Sequence, residues 1–137
     1  MKTDHDNAGL RALLLLDSDV LVRAALATYL RDCGLTVIEA SDTAEARTVL
    51  ATRDVAVDII FCDVASIGSA QSFAFAQWVR TECHDIPVLL AGSIDGAASL
   101  ANNLCEEGPQ LSKPYDHAQF LDTLKQTLAR RHRNAMT

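Results

Sequence analysis

The stretch "ALLLLDSDVLVRAALATYL", residues 12–30, decides the fold. Side chains alternate between the two faces of a strand, so unbroken leucines at 13–16 need apolar cover on both sides of a sheet. Asp17, Ser18 and Asp19 then stop the run abruptly. The sequence next changes period: Val22, Leu26, Tyr29, Leu30 and Cys33 share one helical face, and Gly34 is placed to end the helix. A doubly buried strand leading directly into an amphipathic helix is the opening of an α/β unit. Two acids at its exit suggest a place for a cation or a phosphoryl group.

The rest of the chain repeats the alternation. Strands are expected in "LTVIEA" (35–40), "VDIIFCD" (57–63), "IPVLLAGS" (86–93) and, most briefly, "PQLS" (109–112). Between them lie amphipathic segments at 41–54, 72–85 and 94–108, with a last one at 116–133. Asp42 stands three residues before Glu45, close to a capping box. Residues 64–71 read as a loop. Five strands alternating with five helices predict a doubly wound five-stranded parallel sheet with helices on both faces. It forms one domain over residues 10–130, with flexible tails at 1–9 and 131–137.

Composition narrows the function. A 137-residue chain with 49% hydrophobic and 22% charged residues is a globular domain with a proper core. Its apolar runs are far shorter than the ~20 residues of a membrane helix, and its polar, acidic start is unlike a signal peptide. A cytoplasmic protein is expected. The net charge of −6 argues against a nucleic-acid surface, and "RRHR" at 130–133 suits the dipole at a helix C-terminus. Cys33, Cys62, Cys83 and Cys105 lack zinc-site spacing and read as buried free thiols in a reducing compartment; the four histidines are too scattered for a ligand role. Phe73, Phe75 and Trp78 read first as helix core, with part of that segment left as a contact surface.

In such folds the ligand crevice lies at the carboxyl ends of the strands, where strand order reverses. The first strand delivers Asp17, Ser18 and Asp19, and the third delivers Asp63. The fourth ends in Gly92 and Ser93, and the fifth in Ser112 and Lys113. Paired carboxylates repel and call for a counter-charge. Mg²⁺, held by one or two carboxylates and waters, answers that need, with Lys113 as a second positive charge. Together they suit phosphoryl transfer to Asp63.

These residues resemble the receiver domains of two-component response regulators over nearly the whole chain. The likeness rests on "LLLLDSDVLVR", "DIIFCDVASIG", "IPVLLAGS" and "LSKPY", the last similar to the family's lysine–proline–aromatic motif. It implies strand order 2-1-3-4-5. It also implies Asp63 as phosphoacceptor, Lys113 as the phosphoryl contact, and an Mg²⁺ site of Asp17, Asp63 and the Ala65 backbone carbonyl. Several positions depart from the pattern. Ser18 replaces a second acid and would serve the cation only weakly, through water; Asp19 is a possible substitute. Gly92 occupies the place of a switch hydroxyl, Ser93 lies one position along, and Gln110 replaces a switch aromatic. Ser66 and Ile67 replace methionine–proline.

The implied function is phosphoryl acceptance from a histidine kinase or histidine phosphotransfer protein, with output through contacts to a downstream protein. A stand-alone receiver with no output domain after residue 130 is expected, although a fragment of a longer regulator would read the same, and homodimerisation stays open. A non-enzymatic role is expected. Two rivals stand beside it. A degenerate receiver would act as a phosphorylation-independent binding module. A small phosphatase resembling the haloacid dehalogenases would use "DSD", although no room is left for that family's flap. A flavin site is weaker, since no hydroxyl- and glycine-rich phosphate loop follows the first strand.

Overall fold

A computed structural model of the chain describes residues 12–52, 56–107 and 117–136. Four parallel strands stand in the order β2-β1-β3-β4: β1 (Ala12–Leu16), β2 (Thr36–Ala40), β3 (Ile59–Asp63) and β4 (Val88–Ala91). This is the doubly wound parallel sheet expected. The fifth strand, expected at 109–112, lies outside the described residues, as do Gln110 and Lys113.

β1 sits between β2 and β3, with Leu14 opposite Ile38 on one side and Ile60 on the other. All four leucines of β1 are fully buried, as their placement on a two-sided sheet requires. Leu13 and Leu15 join Ile59 and Phe61 beneath α1 (Val20–Asp32); Leu14 and Leu16 join Ile60 and Cys62 beneath α2 (Thr43–Ala51) and α4 (Ser69–Glu82). Asp42 accepts the Glu45 N–H at 2.7 Å, and the Glu45 carboxylate returns to the Ser41 N–H at 2.6 Å. The capping box is therefore present, set one residue wider than the sequence suggests.

Residues 64–71 are not a loop. Val64–Ile67 form a single helical turn, α3, and α4 begins at Ser69. Gly68 makes the junction at φ 103°, a left-handed conformation that glycine adopts without a Cβ penalty. Asp63 starts the turn by accepting the Ala65 N–H. Patterning misses so short an element because one turn has no period to display. In α4, Phe75 is buried, Trp78 packs 6.2 Å from it beneath the Arg47 guanidinium, and Phe73 stands exposed.

α5 (Ile94–Glu107) and α6 (His117–Met136) complete the described chain, and α6 runs past the domain end expected at residue 130. A right-handed crossover from β4 to a strand beyond it would carry its helix over the α2–α4 face. Instead α5 lies over the α1 face, where Ala97, Ala98 and Ala101 pack in the core with Leu26, Tyr29, Phe120 and Leu124. Tyr29 stacks on Phe120 with centroids 3.9 Å apart and donates its hydroxyl to Asn102.

A disulfide between Cys33 and Cys105 ties the C-cap of α1 to the last turn of α5. This corrects the expectation of free thiols for that pair; Cys62 and Cys83 are the free cysteines. Linear spacing could not show it, because the partners lie 72 residues apart and meet only through helix packing.

Candidate functional site

Parallel strands all present their carboxyl ends at one edge, so residues that terminate β1 and β3 must meet there. Asp17 follows β1 and is fully buried; Asp63 is the last residue of β3 and is 6% exposed. Charged side chains are almost never buried without a partner. Here two like charges face the same edge from adjacent strands.

Asp17 is held on every side but one. Its Oδ1 accepts the Asp19 N–H at 2.9 Å and the Ser66 hydroxyl at 2.8 Å. Its backbone carbonyl accepts Arg23 Nη1 at 2.8 Å, while the same guanidinium pairs through Nε with Glu39 at 3.0 Å. Glu39 also receives Arg31 at 3.2 Å, so β1, β2 and α1 are fastened together just behind the site. Among the described residues no donor group reaches the buried Asp17 Oδ2; the two carboxyls share a hydrogen bond when one of them holds a proton.

The electrostatics follow. Burial, then the neighbouring charge of Asp63, pushes Asp17 up from 3.8 to about 7, against the lowering hydrogen bonds from Asp19 and Ser66. Burial raises Asp63 also, moderated by its hydrogen bond from the Ala65 N–H. Such a pair resists holding two negative charges without a cation.

A buried oxygen that no donor among the described residues reaches, beside a second carboxylate, suits a hard divalent cation. Among the described residues no three His, Cys, Asp or Glu side chains form a metal-holding group. Asp17 and Asp63 would therefore supply a minority of the ligands and water the rest, which is the usual habit of Mg²⁺. Ala65 turns its N–H to Asp63.

The remaining expected residues divide clearly. Ser18 donates its hydroxyl to the Ser66 carbonyl at 2.9 Å, and its N–H to the Ser66 hydroxyl at 3.0 Å. Asp19 is the N-cap of α1, its Oδ1 accepting the Leu21 and Val22 N–H groups. That oxygen is thereby committed to the helix. Ser93 caps α5 by accepting the Gly96 N–H at 3.0 Å, the ordinary task of a serine before a helix. Gly92 is exposed at the end of β4, and a Cβ there would meet nothing within 4 Å. Lys113 and Gln110 cannot be placed, being outside the described residues.

Ser66 stands in the sequence only as a departure from the family's methionine, with no role attached. A serine three positions after an acid reads as turn chemistry, and its partner Asp17 is remote along the chain.

The site predicts a pH dependence. As pH rises, Asp17 loses its proton first in the unfolded chain and only near 7 in the folded protein. Its contribution therefore favours folding in acid and is lost progressively between about pH 4 and 7; Asp63, shifted the same way, adds to it. Without divalent cation, Asp17→Asn is expected to be more stable than wild type at about pH 8, by a few kcal/mol at most. Near pH 4 that advantage should vanish. Thermal melts of both proteins across the range check this, and parallel curves would contradict it.

No protein-family model matches the sequence, and no curated protein matches it either. Solved structures do match. A response regulator from Thermotoga maritima is 24% identical, covers 88% of this chain and 98% of its own, and superposes with a TM-score of 0.52. The chemotaxis response regulator CheY4 of Vibrio cholerae is 22% identical over 86% of this chain and 98% of its own, with a TM-score of 0.55. A third, the response regulator TrrA of Thermotoga maritima, was solved in complex with Mg(2+)-BeF; it is 16% identical over 86% and 99%, at a TM-score of 0.54. The fold is that of the response-regulator receivers.

Proposed function

We propose that the protein is a signalling receiver. Asp63 accepts a phosphoryl group from a histidine kinase or histidine phosphotransfer protein, and the modified domain signals by contacting a downstream protein. The observation that carries this reading is the pair of buried carboxylates at the ends of β1 and β3, with no donor among the described residues reaching Asp17 Oδ2. The likeness to receivers, one of them in complex with Mg(2+)-BeF, supports it. When bound, Mg²⁺ would neutralise the two carboxylates and the phosphoryl oxygens.

This chain's residues do the rest. The Ala65 N–H orients Asp63, while Asp19 and Ser66 orient Asp17. Lys113 is the proposed phosphoryl contact. Asp63 is an acceptor rather than a turnover catalyst. We place the protein in the cytoplasm beside its donor; no described helix is long and apolar enough to cross a membrane.

Beryllofluoride with Mg²⁺, an analogue of the bound phosphoryl group, provides the test. Amide resonances of residues 17–19 and 63–66 are expected to shift, and those of Asp63→Asn to stay in place. A flat wild-type response rejects the reading. The binding-module alternative would then take over; it is favoured by Ser18 in place of an acid and by the commitment of the Ser93 hydroxyl to capping.

A further inference from the structure

The Ser66 hydroxyl lies at the centre of a small reciprocal clasp. It donates to Asp17 Oδ1 at 2.8 Å and accepts the Ser18 N–H at 3.0 Å, while the Ser18 hydroxyl donates to the Ser66 carbonyl at 2.9 Å. A hydroxyl has one proton, so the shorter bond to Asp17 takes it in preference to the Asp63 carbonyl at 3.3 Å. The clasp joins the β1–α1 turn to α3, two segments that backbone hydrogen bonds do not otherwise connect at this edge among the described residues.

Its geometry has a chemical result. With Oδ1 occupied by the Asp19 N–H and the Ser66 hydroxyl, the Asp17 carboxylate cannot turn without losing both bonds. Oδ2 is thereby singled out as the oxygen that no donor among the described residues reaches.

We infer that Ser66 is a positioning residue for the divalent-cation site, and that the Ser18–Ser66 clasp does by orientation part of what a second carboxylate at position 18 would do by charge. The inference rests on the reading of Asp17 and Asp63 as the cation's ligands. A serine clasp adds no negative charge. It compensates by holding the Asp17 carboxylate ready, so that binding does not also have to order it.

Free Mn²⁺ counted by electron paramagnetic resonance, with Mg²⁺ as competitor, measures the affinity directly. Ser66→Ala is expected to weaken binding roughly ten- to hundred-fold, as loss of an outer-shell partner commonly does. Ser66→Thr, which keeps the hydroxyl, should restore most of it. Unchanged or tighter Mn²⁺ binding by Ser66→Ala, alongside weakened binding by Asp63→Asn, overturns the clasp alone. Wild type and Asp63→Asn binding Mn²⁺ equally would instead overturn the cation site on which it depends. Melting curves identify any variant that fails to fold, in which case Ser18→Ala, expected to weaken binding in the same direction, decides the matter.

Discussion

Replacing Cys33 and Cys105 together by alanine is expected to lower the stability of the oxidised protein by about 4 kcal/mol. The disulfide closes a loop of 72 residues, and chain-entropy reasoning scales the effect with the logarithm of that length. In a chain of this size the loss corresponds to a melting temperature lower by roughly 14 °C. The bridge joins helices that also meet through Tyr29 and Asn102, with Phe120 of α6 stacked on Tyr29, so the native packing persists in outline while the unfolded chain gains freedom. Urea denaturation with and without a dithiol reductant measures this. Reduction of wild type should move its midpoint toward that of the double variant and leave the variant itself unmoved. The unbridged chain should also show a steeper urea dependence, since it exposes more surface when unfolded. Thiol titration of the denatured protein gives an independent check: it should find Cys62 and Cys83 alone before reduction and all four cysteines after. Equal midpoints in all these conditions would show that the bridge contributes nothing.

The disulfide also marks the limit of what linear reading reveals. Strand positions are legible because a doubly buried strand has to be an unbroken apolar run, and β1 and β3 are such runs ending in acids. Strand order is legible through the resemblance. The convergence of Asp17 and Asp63 then follows, since neighbouring parallel strands must end at the same edge. What stays hidden depends on packing across the sheet. Which helix covers which face decides whether Cys33 meets Cys105, and no local pattern carries that information. The same holds for Ser66, whose importance lies in a bond to Asp17, a residue remote along the chain at the end of β1. The turn at Val64–Ile67 is hidden for a different reason, being too brief for periodicity to register. Capping was readable where it is local: Asp42 and Glu45 announce theirs, and Ser93 keeps the plain role its position before a helix suggests.

For the chemistry, the decisive substitution is at the acceptor itself. In the presence of Mg²⁺ and a phosphohistidine donor, wild type is expected to gain the mass of one phosphoryl group, and Asp63→Asn to gain none. A carboxylate oxygen of Asp63 forms the new bond to phosphorus as the phosphorus–nitrogen bond of the donor breaks; the electron pair of that bond stays on the imidazole, and no oxidant or reductant enters. Asparagine cannot take this part, because its amide oxygen carries no charge and its nitrogen is a poor nucleophile. The substitution is nearly isosteric, and its side-chain oxygen can still accept the Ala65 N–H that caps α3. Loss of labelling therefore cannot be assigned to collapse of the turn. Relief of repulsion with Asp17 should leave the variant at least as stable as wild type near neutral pH. The gain in mass should be lost in hydroxylamine, which cleaves acyl phosphates and spares phosphoserine. Labelling that survives in Asp63→Asn, or that resists hydroxylamine in wild type, would move the modification to another residue and remove the carboxylate pair from the centre of the mechanism.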